Sequence, residues 1–265
     1  MSDPAVLVDQ QGATLVVTLN HPHVSNAVDL EMALAVAAAM DRLDEDSSLR
    51  VGVITGAGKH FCSGMDLKEF SRGRRPFVEG RGFAGLVERP PAKPLIAAVE
   101  GAAVAGGFEI VLTCDLVTAG EGAFFGLPEV KRGLIAAGGG LLRLPERCPR
   151  NVATELALTG GRLSAERAHA FGLVNRLVPR GESLDTALAL AEEISANGPQ
   201  AVRATKETLT VTRGLPFSEA FELQEVIANQ VRTSDEAREG ALAFVEKRAP
   251  SWAPAPTTTA STNRG

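Results

Sequence analysis

Two short apolar runs open the chain, Val6-Leu7-Val8 and Leu15 to Leu19, separated by Gln11-Gly12. This pattern predicts an edge hairpin. Asp29 then precedes an alanine-rich stretch with helical spacing, which predicts a capped helix through about Leu43. Arg50 to Thr55 reads as a strand running into Gly56-Ala57-Gly58, and Leu95 to Val99 has the length and β-branched content of a buried strand. From Gly101 to Gly107 no side chain is larger than valine, and a helical pattern begins at Phe108. Ser164 to Gly172 reads as a capped short helix leading into strand-like Leu173 to Val178. Helices are predicted at about 183–196, 199–212, 217–231 and 234–248, with Thr233 and Glu236 fitting a capping box for the last. Periodicity alone therefore predicts a mixed α/β fold with a helical C-terminus.

Composition narrows the class. At 265 residues the chain suits one large domain, or a domain with a helical appendage, and 45% hydrophobic residues supply a sizeable core. No apolar run approaches the ~20 residues that span a bilayer. The start, MSDPAVLVDQ, has neither the basic nor the apolar region of a signal peptide, so a cytoplasmic protein without a membrane partner is expected. A net charge of −5 argues against nucleic acid as the main partner. Cys62, Cys114 and Cys148 are too few and too scattered for a disulfide framework or a zinc site, and Cys62 reads as a small buried filler. The four histidines lack HExxH spacing, and His21-Pro22-His23 is a weak metal signal, so no metal is expected. Gly56-Ala57-Gly58 lacks the third glycine of a dinucleotide fingerprint, and Gly58-Lys59 lacks the rest of a phosphate-binding loop. The irregular segment 71–92 carries Arg72, Arg74, Arg75 and Arg81, expected to be solvated. Residues 253–265 read as a disordered tail.

The stretch KPLIAAVEGAAVAGGFEIVLTCDLVTAGEGAFFGLPEVKR, Lys93 to Arg132, concentrates the candidate chemistry. A strand runs into small residues and glycines, and a helix then starts with Glu109 in its first turn. Glu129 follows Leu127-Pro128, twenty positions on (129 − 109). The first amides of a helix have no intrahelical partner and its dipole favours negative charge there. Gly106 and Gly107 allow a ligand to approach the backbone closely. Bound backbone amides facing two carboxyl groups would suit acid/base work on a group that develops oxyanion charge. Each acid also has a plainer reading: a first-turn glutamate stabilises any helix, and a loop acid after proline is by default solvated.

AVAGGFE, CDLVTA, FGLPE and GLIAAGGGLLRLP, together with HFCSGMDLKEF at 60–70 and SDEAREGALAFVEKRAPSW at 234–252, resemble the crotonase family of enoyl-CoA hydratases and isomerases. The resemblance runs from about Val6 to Trp252, and Gly138 to Pro145 matches the family's glycine turn, helix and proline end. It implies an α/β fold, a crotonase-like spiral of ββα units over 1–200, with a C-terminal helical trimerisation segment over 201–252. It implies an oxyanion hole from the amides of Met65 and Gly106, with Glu109 as water partner and Glu129 as acid/base at C2. It further implies a CoA-binding stretch of Ser63, Gly64, Asp66, Leu67 and Lys68. Lys68 is equally an ordinary exposed lysine, and Lys247, which family members would place near a neighbouring subunit's phosphates, an ordinary helix-end one.

The activity implied is reversible addition of water across the 2,3 double bond of an enoyl-CoA by a homotrimer or homohexamer. No cofactor is implied beyond the coenzyme A of the substrate. Retention of both glutamates fits hydratases better than isomerases, which often keep only the second. GGFE, FGLPE and GGGLLRLP resemble the carnitinyl-CoA dehydratase branch, so a dehydratase of a small polar acyl-CoA is the alternative enzyme, with an enoyl-CoA isomerase as another. A non-catalytic acyl-CoA or RNA-binding relative is a further alternative.

Overall fold

The computed structural model describes residues 3–252, so the tail expected at 253–265 lies outside the described residues. Strands β1 (Val6–Gln11) and β2 (Thr14–Leu19) form the hairpin, with Val6 opposite Leu19. Helix α1 (Leu30–Glu45) starts where the Asp29 carboxylate accepts from the Met32 amide at 2.9 Å, giving a partner to a first-turn donor that has none in the helix. There follow β3 (Val51–Gly56), α2 (Leu67–Ser71), β4 (Phe77–Val78), β5 (Gly82–Phe83), β6 (Leu95–Val99), β7 (Ala102–Val104) and α3 (Gly106–Thr113). The chain continues through β8 (Leu116–Gly120), β9 (Phe124–Gly126), a 3₁₀ turn (Pro128–Arg132), α4 (Gly140–Arg147) and α5 (Arg150–Thr159). It ends with β10 (Leu163–Ser164), α6 (Ala165–Ala170), β11 (Arg176–Val178), α7 (Ser183–Ser195), α8 (Pro199–Val211), α9 (Phe217–Arg232) and α10 (Asp235–Glu246).

Six strands form one sheet in the order β1-β2-β3-β6-β8-β11, parallel throughout except for the β1–β2 hairpin. Both of its faces are covered. Val51, Val53, Ile96 and Ala98 face α7 through Ala187 and Ala191. Ile54, Leu95, Ala97 and Val99 join the larger core with Met40 and Leu43 of α1. A sheet buried on both sides needs apolar residues at every position, which is why β3 and β6 show no polar alternation.

A second sheet, β10-β9-β7, lies beyond the first. The chain passes from β6 into β7 within two residues. Gly101 makes this turn with φ 58°, and a Cβ there would collide with the Lys59 carbonyl. The same step recurs at β8 to β9, and the β3 unit makes it in reduced form, where Cys62 pairs in parallel with Ala103 as an isolated bridge. These successive strand–strand–helix units make the spiral expected for the fold. Strand β7 itself is a correction: Ala102–Val104 pairs with β9, and α3 starts at Gly106 rather than Phe108.

Other expectations are revised by non-local contacts. The N-cap of α10 is Ser234, whose hydroxyl accepts from Ala237 N at 3.1 Å. Glu236 therefore makes no box with Thr233; its carboxylate caps α8, accepting from Gln200 N at 2.9 Å and Ala201 N at 2.8 Å. Pro145 lies inside α4, which runs on to Arg147 at the cost of one backbone hydrogen bond. Arg81 is buried, ion-paired with Asp41 and donating to Arg89 O, whereas Arg72 and Arg74 bind Glu69 at the surface. The strand expected from Leu173 contracts to Arg176–Val178. Among the described residues, the buried apolar side chains of α8, α9 and α10 are Ile227 and Ala243 alone, and Phe217 and Phe244 are 84% and 85% exposed.

Asn26, fully buried and in left-handed backbone at φ 54°, staples the loop after β2 to the loop after β3. Its Oδ1 accepts from His21 N at 2.9 Å, and its Nδ2 donates to Ala57 O at 2.9 Å and His60 O at 2.8 Å. In Asn26→Ala these buried groups lose their partners, and a loss of about 2–4 kcal/mol is expected. Urea unfolding followed by circular dichroism measures it; an unchanged midpoint would show that the staple contributes nothing.

Candidate active site

Residues 57–66 connect β3 to α2, and Cys62 within them lies against β7. Cys62 N donates to Ala102 O at 3.1 Å, and Val104 N donates back to Cys62 O at 3.0 Å. The buried Cys62 thiol donates to Asn26 O at 3.0 Å and accepts from Gly64 N at 3.3 Å. Burial pushes this thiol up to about 12, so it stays protonated and serves as the filler expected. Gly64 follows with φ 92°, and Val28 N donates to its carbonyl at 2.8 Å. A Cβ on Gly64 would stand 2.9 Å from Gly106 N and 2.8 Å from Ala105 Cβ. The two sequence-predicted turns are thus brought into contact.

The amides on either side of Met65 are engaged, Gly64 N by Cys62 Sγ and Asp66 N by Val28 O. Met65 N and Gly106 N donate to no acceptor among the described residues. Gly106 begins α3, so its N–H has no intrahelical acceptor and sits at the positive end of the helix. Ala105, the residue before it, is held at φ 52° and ψ −131°, a conformation costly for alanine. Both of its backbone groups are tied down: Ala105 N donates to Gly126 O at 2.9 Å, and its carbonyl accepts from Phe108 N at 2.9 Å. The Phe83 ring packs where a Gly106 side chain would stand.

Glu109 projects from the first turn of α3 and is only 4% exposed. Its Oε1 accepts from Gly140 N, at the start of α4, at 2.9 Å. A Cβ on Gly138 would fall 2.6 Å from Oε2, and one on Gly140 would fall 3.0 Å from Oε1. The glycine run is therefore the cradle of this carboxylate. Burial raises the Glu109 pKa above the usual carboxylate range, opposed by the amides of Gly140 and Gly138 and by the Arg143 charge. Glu129, in the 3₁₀ turn, is half-buried rather than the solvated loop acid that is the default after proline. Its Oε2 is shielded from solvent and has no hydrogen-bond partner among the described residues. Burial, aided by the neighbouring Glu109 charge, pushes it up to about 7. An open apolar hollow of about 650 Å³, with Leu127, Ile135, Leu141 and Leu142 in its wall, abuts Glu129.

The remaining candidates gather on α2 and the loop before it. Ser63 is half-buried, with N donating to Ser25 O at 2.9 Å and Oγ to Val24 O at 3.3 Å. Asp66 caps α2, its Oδ1 accepting from Lys68 N at 2.7 Å, so its carboxylate is engaged by its own helix. Leu67 and Lys68 are exposed. Phe83 and Asn26 carried no signal in the sequence, because the partners that give them their positions lie 23 and 31 residues away (106 − 83, 57 − 26). Gly138 and Gly140 were visible as a glycine run, but their service to Glu109 was not. Among the described residues, no three His, Cys, Asp or Glu side chains group to hold a metal ion.

Two unpaired amides beside two carboxyl groups, one of them half-protonated near neutrality, can bind an oxyanion and exchange protons with a water held between the acids. A family model described as enoyl-CoA hydratase/isomerase matches residues 9–255. The chain is 44% identical to enoyl-CoA hydratase EchA19 of Mycobacterium tuberculosis, over 95% of this chain and 97% of that one. It is 40% identical to carnitinyl-CoA dehydratase of Proteus mirabilis, over 91% and 95% of the two chains. Among solved structures, enoyl-CoA hydratase EchA1 of Mycobacterium marinum superposes with a TM-score of 0.92 at 57% identity, covering 94% of this chain and 99% of that one. Motifs, fold and relatives agree along nearly the whole length, and the chain belongs to the enoyl-CoA hydratase/isomerase family.

Proposed function

We propose that the chain is a hydro-lyase that adds water reversibly across the 2,3 double bond of an enoyl-CoA. The observation that carries this reading is the pairing of buried Glu109 with half-buried Glu129, whose Oε2 lacks a partner among the described residues, next to two unpaired amides. The thioester oxygen accepts from Met65 N and Gly106 N, which stabilise the enolate-like charge that develops on it. Glu109, ionised, takes a proton from the water attacking C3, while Glu129, protonated, delivers a proton to C2. The proton then returns from Glu109 to Glu129, and the scheme needs no cofactor beyond the coenzyme A of the substrate. Relatives named as hydratases and as a dehydratase support either direction of this chemistry. The CoA moiety is assigned to the stretch from Ser63 to Lys68, where Lys68 is exposed and free to meet its phosphates. The exposed apolar residues of α9 and α10, including Phe217 and Phe244, support assembly as a trimer or a hexamer.

Loss of the conjugated enoyl-thioester absorbance tests the reading directly, with crotonyl-CoA, longer 2-enoyl-CoAs and crotonobetainyl-CoA. Turnover of plain enoyl-CoAs is expected, and Glu109→Gln and Glu129→Gln should each lower kcat by about 10²–10⁴. Turnover of crotonobetainyl-CoA alone would move the assignment to the dehydratase branch. Unaltered hydration in either variant would remove that glutamate from the scheme.

The pH profile follows from the pair. Only the singly protonated pair is active in either direction, so losing its last proton, near pH 7, stops the reaction. Since hydration consumes no net proton, kcat/KM for hydration and for dehydration of the 3-hydroxyacyl-CoA should fall together, about tenfold per pH unit above that point. A profile level from pH 6 to pH 9 in both directions would refute the assignment.

Gly64→Ala probes the amides without touching either acid. The new methyl would crowd Gly106 N, and the positive φ would be strained, so kcat should drop by roughly 10²–10³. Retained kcat in a folded Gly64→Ala protein would take the oxyanion away from this turn.

A further inference from the structure

Arg143 lies between the two parts of the site and has no role in the scheme above. It stands in the first turn of α4 and is half-buried. Its Nη2 donates to Val87 O at 2.6 Å and its Nη1 to Gly138 O at 3.3 Å, with the guanidinium passing over Gly139. Gly138 and Gly140 form the cradle whose amide holds Glu109. Val87 closes the short segment that follows β5, its N donating to Phe83 O at 3.3 Å, and Phe83 is the ring packed on Gly106. One planar fork therefore joins the support of the acid to the cover of the amide.

We infer that Arg143 is a positioning residue for the reaction: its guanidinium fixes the Gly138–Gly140 turn around the Glu109 carboxylate and ties that turn to the segment that lays Phe83 on Gly106. This rests on the reading of Glu109 as the water partner. Arginine suits the task because its donors are fixed in a fork that serves two carbonyls at once, whereas lysine offers a single point of charge. Glu109 is faced by Arg143 from α4, by Glu129 from the 3₁₀ turn, and by the amides of Gly138 and Gly140. Arg143 in turn is faced by Glu109 from α3, by Glu146 and Arg147 from α4, and by Arg213 just after α8. Two of these neighbours are cations, so an arginine stays there because the two carbonyls and the Glu109 charge hold it.

The test uses Arg143→Gln and Arg143→Lys in the full chain, with two readouts. One is kcat and KM for enoyl-CoA hydration. The other is the titration of the Glu109 carboxyl by pH-difference infrared spectroscopy, its band assigned by loss in Glu109→Gln. In Arg143→Gln, kcat should fall roughly 10- to 100-fold with KM within about threefold, as a misplaced reacting group predicts. The Glu109 midpoint should rise, because the opposite charge that favours ionisation is gone and the turn whose amides hold the ionised carboxyl is no longer fixed. In Arg143→Lys the charge stays and the fork is lost, so the midpoint should lie closer to the parent's than in Arg143→Gln while kcat still falls. Parent-like kcat in Arg143→Lys, or an unmoved Glu109 midpoint in folded Arg143→Gln, overturns the inference. Should the Gln variant fail to fold, kcat of the Lys variant decides. If the parent protein hydrates no enoyl-CoA, the proposed function fails by itself, and the Glu109 midpoint in Arg143→Gln still decides for or against the Arg143 link.

Discussion

Backbone pressed against backbone, with no side chain between, is the constraint on which the site depends. Gly64 can rest on the Ala105–Gly106 turn only because it lacks a Cβ. The approach follows from the spiral, in which each unit passes a strand from the first sheet to a short partner in the second. Cys62 and Ala103 are neighbours in that second layer, so the turns that follow them are neighbours too. Main-chain hydrogen bonds on both sides of Met65 then set the direction of the one amide left unpaired. Such a site is held by ladder geometry rather than by side-chain rotamers, and ladders tolerate little drift.

The acids obey a different rule. Removing a carboxylate from water is costly unless hydrogen bonds replace the lost hydration. Glu109 receives such replacement from a helix start and a glycine turn, whereas the Glu129 Oε2 receives none among the described residues. That asymmetry separates two chemically identical groups, leaving one inclined to hold a proton and the other inclined to release it. Cys62, fully buried, shows the complementary outcome: a thiol that burial silences rather than activates.

The elements with clear periodicity were legible from residues alone: the hairpin, α1 with its Asp29 cap, the two-sided strands β3 and β6, and the four C-terminal helices. What escaped depended on distant partners. Strand β7 has three small residues and no alternation, and only Cys62 on one side and β9 on the other make it a strand. Glu236 lies three residues from Thr233, yet it caps a helix that begins 37 positions earlier (236 − 199). Arg81 is buried because Asp41 on α1 awaits it. The same holds within the site. Glu109 and Glu129 were found through local motifs, but the burial of Glu129 and the cradle around Glu109 are tertiary facts. Spacing marks the two acids, and packing determines what each can do.

Ala105 carries one more consequence. Its backbone sits where glycine would rest without strain, and the penalty for alanine is on the order of 1–3 kcal/mol. Alanine also denies the turn most of the alternative conformations that glycine would visit. The strain cannot relax locally, since the residue is held by β9 on one side and by α3 on the other. It is stored in the join between a short strand ladder and a helix start, and any fraying of that ladder would release it. Breathing of β9 would free the Ala105 amide and with it the turn that orients the Gly106 N–H, so the aim of this amide depends on the local opening of a three-residue strand.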